Sequence, residues 1–231
     1  MKLSQSLTYV VLGAGLFAPA AFADLIPASP FEININGTGF GTVDTLITLQ
    51  TANGQSTTEA GCIGFGGSAT NCGLSQNGKI KNTSTTEPVP AGATASDLRF
   101  IFNASEPNGG SISLNNMEVS FYGTTSTPLY TAMLASPITL TSTQAGTGNS
   151  GFVFELNTAQ AAAVQGILSS TTAIGAGFSA SGASGGQDTL FLGSVPSTVG
   201  TPEPTSYAFF LALLLGGCVF LRNRRPNLGI R

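Results

Sequence analysis

Apolar and polar residues alternate with period two along most of the middle of the chain. Phe31, Ile33 and Ile35 share one face of such a run, and Leu98, Phe100 and Phe102 share another. Ile112 and Leu114 continue the habit, followed by Met117, Val119 and Phe121. Phe152, Phe154 and Leu156 repeat it, as do Ile174, Ala176 and Phe178, and Leu190 with Leu192 closes it. Strict alternation marks strands with one buried face. Between the runs lie Asn36-Gly37, Asn53-Gly54, Asn77-Gly78 and Asn108-Gly109-Gly110, residues that favour tight turns. Short strands joined by such turns predict an all-β fold, an antiparallel β-sandwich of jelly-roll or immunoglobulin/cohesin-like type. One segment departs from the period. Asn157 followed by Gln160 forms a capping signature, and Ala161, Val164, Ile167 and Leu168 then recur at helical spacing. The pattern predicts one short helix, ended by Ser169 to Thr172, across an end of the sandwich.

The two ends of the chain carry a different pattern. Lys2, the apolar run from Tyr9 to Ala18, and Ala21-Phe22-Ala23 form the layout of a secretory signal peptide. Cleavage by signal peptidase is expected between Ala23 and Asp24, because the apolar run is shorter than the ~20 residues of a membrane-spanning helix. Near the C-terminus, Pro202-Glu203-Pro204 precedes an uncharged run from Tyr207 to Leu221, and a basic cluster of Arg222, Arg224 and Arg225 follows. As a helix that run measures about 22 Å at ~1.5 Å per residue, short of the ~30 Å hydrocarbon core. The sequence thus divides into a signal peptide (1–23), an exported β-sandwich domain (24–198) and a tail (199–231) with a transmembrane helix at 207–221. The arginines predict a cytoplasmic C-terminus. Both a transient anchor and a permanent one fit the run.

Charge and composition narrow the chemistry. Only 8% of residues are charged, against about 25% in an average soluble protein. Asp24 to Gly200 holds ten acids and three bases (Lys79, Lys81, Arg99), a net charge of −7. Such a domain lacks the cationic footprint that nucleic acid requires. There is no histidine, which removes Ser-His-Asp and Cys-His catalysis and the histidine-based metal sites. A carboxylate-pair glycosidase would draw on two of Asp97, Glu106, Glu118, Glu155 and Asp188, but the chain has no tryptophan and four tyrosines to offer sugars a platform. These acids read more simply as solvated turn and strand-edge residues, and no catalytic residue is assigned. No cofactor is expected. Calcium is the one ligand to weigh, from Asp44, Asp97, Asn103, Glu106 or Asp188, although no EF-hand loop is present. Cys62 and Cys72 are expected to form a disulfide in an exported chain, a two-thiolate metal pair being the alternative.

A Pro-Glu-Pro tripeptide, an uncharged run and an arginine cluster, on a chain with a signal peptide, together resemble the PEP-CTERM sorting signal of Gram-negative bacteria. The resemblance covers about the last thirty residues. It implies recognition of Pro202, Glu203 and Pro204 by an exosortase, with Arg222, Arg224 and Arg225 as the cytoplasmic stop. It also implies passage through an inner-membrane intermediate to the cell envelope, outer surface or extracellular matrix of an exopolysaccharide-producing cell. The six residues after Arg225 form a longer extension than the pattern implies. The expected role is structural or adhesive, in the envelope or biofilm. The alternative is a carbohydrate- or calcium-binding module associated with exopolysaccharide.

Overall fold

A computed structural model describes residues 24–36, 43–51, 58–69, 74–81, 84–183 and 186–195. The expected signal peptide, the tail with Pro202 to Pro204, the run 207–221 and the arginine cluster all lie outside these residues, as does Cys72. Among the described residues no helix is long and apolar enough to cross a membrane.

The strands follow in order as β1 (Asp24–Asn34), β2 (Asp44–Gln50), β3 (Thr58–Ile63), β4 (Lys79–Ile80), β5 (Glu87–Pro88), β6 (Leu98–Asn103), β7 (Ser111–Tyr122), β8 (Pro128–Leu134), β9 (Ile138–Thr141) and β10 (Ser150–Leu156), then after the helix α1 (Thr158–Gln165) come β11 (Ala173–Ser181) and β12 (Gln187–Ser194). All belong to one sheet, in the order β3-β11-β7-β8-β1-β10-β6-β12-β2-β4, with β5 beside β11 and β9 beside β7. The two ends of that path meet. Asn77, just before β4, exchanges two backbone hydrogen bonds with Ala60 of β3, at 2.7 and 2.8 Å. The sheet therefore curls into a nearly closed barrel, and the expected sandwich is corrected to this architecture. The physical reason is that period-two alternation marks only an inward and an outward face. It reads the same whether the inward faces of two sheets meet or one sheet closes on itself.

The lumen is a packed core. Leu98, Phe100 and Phe102 of β6, Phe152 and Phe154 of β10, Phe121 of β7 and Phe178 of β11 are buried in one cluster. Phe102 and Phe178, from strands that are not neighbours, meet edge-to-face with ring centroids 5.0 Å apart, the geometry aromatic quadrupoles favour. In β7 a bulge between the pairs Leu114↔Ala180 and Asn116↔Ser179 shifts the alternation, so Ile112 and Leu114 and then Met117, Val119 and Phe121 all turn inward. The shared face expected for Phe31, Ile33 and Ile35 is corrected. The β1–β10 register shifts between Pro27 and Glu32. Phe31 packs inward on Phe152 and Phe154, while Ile33 and Ile35 join a second cluster with Ala28, Ile101 and Val153 on the outside.

Helix α1 starts where the sequence predicts. The Asn157 side chain accepts from the Gln160 N–H and the Gln160 side chain from the Asn157 N–H, a reciprocal capping box. The helix ends at Gln165, short of Ile167 and Leu168. Val164 is buried in the core cluster, so α1 plugs one end of the barrel. Both ends of the described chain lie at this end: Leu25 opposes Leu156, Ser194 opposes Leu98, and the Val195 N–H bonds the Asp97 carbonyl at 2.9 Å. The ends of β2, β6, β9 and β11 and the starts of β3, β7, β10 and β12 gather at the opposite end.

Candidate functional site

The inward alternation of two strands carries acids into that opposite end. In β3 the inward positions are Glu59, Gly61 and Ile63, and in β12 they are Asp188, Leu190 and Leu192. Glu59 opposes Ala180 and Asp188 opposes Leu49. Each of the two acids is only 1% exposed, and Glu106 of the β6–β7 connection is 4% exposed. Burial pushes the Glu59 carboxyl up to about 10, reinforced by its hydrogen bond to Asp188 and by the charges of Asp188 and Glu106. Burial also raises Asp188, opposed by the hydrogen bonds it accepts from Glu59 and from the Ser105 N–H, the latter at 2.7 Å. Burial beside Asp188 and Glu106 therefore favours the protonated form of Glu59. No donor reaches either of the buried Glu59 oxygens. The β11–β12 connection lies tightly on this site, since a Cβ on Gly186 would fall 2.4 Å from the Ser105 Cβ. Only glycine permits that approach.

This arrangement can bind and release a proton and, through Ser105, hold the β6–β7 connection over the barrel end. It does not match glycoside hydrolysis, which needs carboxyls about 5–10 Å apart around an accessible bond. The other acids named from the sequence do not converge. Asp97 caps its own turn by accepting from the Thr94 N–H at 2.8 Å. Glu155 pairs with Arg99 at 2.9 Å. Glu118 lies on β7 opposite Met133, buried on the outer face. Asp44 is near Glu87 at the α1 end of the barrel and raises its pKa, after burial. Asn103 spends its amide on the Gly148 and Ser150 carbonyls. Among the described residues no group of three or more His, Cys, Asp or Glu side chains is placed to hold a metal ion.

Glu59 escaped the sequence reading because it sits in a Thr- and Gly-rich stretch. Gly61 between Glu59 and Ile63 leaves too little apolar signal to show the inward face. Cys62 is disulfide-bonded and fully buried, and the other two cysteines lie outside the described residues. At the α1 end an open groove of about 420 Å³ runs between Val89–Ala93 and Gln165–Ser170, with no charged side chain in its lining. No family model, curated protein or solved structure matches this chain.

Proposed function

We propose that this is an exported protein, sorted by a PEP-CTERM-type signal to the envelope, outer surface or extracellular matrix, where its barrel domain acts as a structural or adhesive component. The observation that carries the reading is the order of motifs in the tail: Pro202-Glu203-Pro204, the uncharged run 207–221, then Arg222, Arg224 and Arg225. The fold is compatible with processing at both ends. Strand β1 begins at Asp24 and β12 ends at Ser194, so cuts after Ala23 and near Pro202 leave every described strand whole. Both ends of the described chain lie on the α1 side, so a tether there would turn the opposite end of the barrel outward. A non-catalytic role is supported by the lack of histidine and by the closure of the acid pair to solvent.

The test replaces Pro202, Glu203 and Pro204 by alanine and follows the intact mass and location of the protein in its host. The proposal expects loss of tail cleavage and retention in the inner membrane. Unchanged mass and unchanged surface delivery would defeat it.

One observation favours a second reading, contact with neutral exopolysaccharide. Thr139, Ser113, Ser181 and Thr58 lie directly opposite one another across four strands, forming an uncharged hydroxyl row on the outer face. Polysaccharide pull-down with the exported protein, wild-type against Ser113→Lys/Ser181→Lys, tests it; equal retention of the two would reject this face.

A further inference from the structure

Unsatisfied polar atoms concentrate at the end of the barrel away from α1. Among the described residues four side chains hold buried nitrogen or oxygen atoms with no hydrogen-bond partner: Thr51, Glu59, Ser142 and Gln160. Gln160 belongs to α1. The other three stand at the opposite end, Thr51 just past β2, Glu59 in β3 and Ser142 just past β9. A buried polar group without a partner is destabilising, and such groups collect where a ligand completes them. Thr51 and Glu59 flank the same glycine. Gln50 pairs with Lys79 and Asn77 with Ala60, so Gly78 lies between Thr51 on one side and Glu59 on the other. A Cβ on Gly78 would stand 3.6 Å from the Glu59 Cβ and 3.4 Å from the Gln50 carbonyl oxygen, at ordinary contact distances. Glycine puts no side chain there. Asp188 is within hydrogen-bond reach of Glu59, and the charge of Glu106 acts on it. Thr51 is 3% exposed, and Glu59 and Asp188 are as deeply buried. These groups present only oxygen. The three bases between Asp24 and Gly200 are placed elsewhere: Lys79 is exposed, Lys81 donates to the Gln50 side chain, and Arg99 pairs with Glu155.

We propose that Glu59, Asp188 and Thr51 form a calcium site inside this end of the barrel. Two carboxyls buried side by side are unfavourable unless a proton or a cation compensates them. Calcium is a hard cation that takes about six to eight oxygen ligands in irregular geometry, whereas magnesium demands a strict octahedron and keeps its waters. The two carboxylates and the Thr51 hydroxyl supply part of the calcium shell, water completes it, and Glu106 adds negative charge from further out. With two carboxylates as its direct charged ligands, the site agrees with the lack of any three-acid grouping among the described residues. Binding is accordingly weak, with a Kd of about 10⁻⁴–10⁻³ M, the range of extracellular calcium modules. Calcium there joins β2, β3 and β12 and, through the hydrogen bond from the Ser105 N–H to Asp188, holds the β6–β7 connection. The end it stiffens is the one that a tether on the α1 side turns outward.

The test titrates calcium chloride by calorimetry into the full protein as isolated from its host, held in mild detergent and stripped with EGTA. The melting temperature is followed in parallel. The expected result is one calcium per chain and a melting temperature that rises with calcium concentration. Glu59→Gln should weaken binding at least tenfold. Thr51→Val keeps the size and shape of the side chain. In EGTA it should melt no lower than wild type, because the hydroxyl it removes has no partner, yet it should bind calcium at least tenfold more weakly. No binding by the wild type, or binding indifferent to Glu59→Gln, overturns the site. Undiminished binding by Thr51→Val overturns the hydroxyl as a ligand, and magnesium bound as tightly as calcium overturns the choice of metal.

Discussion

Glu59 shows what one side chain does to the pH response of this domain. Its pKa rises from 4.5 in the unfolded chain to about 10 in the fold, chiefly through burial. A group raised on folding contributes stability that is complete below its unfolded pKa and is lost as pH climbs to the folded one. The domain should therefore be most stable near pH 4–5 and weaken toward pH 9, by at most ~1.4 kcal/mol per pH unit from this proton. Glu32 acts in the opposite sense. Burial raises it, but hydrogen bonds from Ser150, Thr143 and Gln144 outweigh that and leave it lowered, so its contribution fades in acid. Glu59→Gln keeps a neutral donor for Asp188 and should flatten the alkaline loss without harm at pH 4. Urea denaturation across this range checks it; a wild-type slope in the variant would show that Glu59 does not hold the proton. The cysteines can be separated the same way. Cys72→Ser should cost about 2–3 kcal/mol by loop entropy and Cys218→Ser nothing, if Cys62 is bonded to Cys72; the reverse ranking in a melting experiment would assign the bond to Cys218.

At the scale of elements, local sequence was most informative where local physics decides. The start of α1 was legible because the capping box uses only Asn157, Gln160 and their own backbone. Asn157→Ala should cost about 1 kcal/mol, measurable as a shift in the denaturation midpoint. The helix end was misjudged because tertiary and turn bonds compete there. Thr172 Oγ1 donates to the Ile167 carbonyl and accepts from the Ser169 N–H, pulling Ile167 and Leu168 out of the helix while both still pack on the core. Alternation gave the inward residues of β6, β7, β10, β11 and β12 correctly. It failed for Phe31 against Ile33, where a bulge between Pro27 and Glu32 changes the parity, and a bulge leaves no mark in a pattern of apolar residues.

For the molecule as a whole, the lumen is the structural core, and its loss should be felt across the sheet. Phe102→Ala removes a fully buried ring that touches Phe178 on a non-neighbouring strand. Such a truncation typically costs 3–5 kcal/mol, and calorimetry should show one cooperative transition moved well down in temperature. A change under about 1 kcal/mol would mean that the barrel is not packed through its centre. The sequence by itself determined that the chain is a β protein with a capped helix and which side chains face inward on most strands, because period and caps depend on neighbours in the chain. Only the tertiary structure decided that one sheet closes on itself and that Glu59 and Asp188 are buried together although they stand far apart in sequence. Those outcomes depend on strand order and register, which are set by contacts between distant segments and leave no local signature.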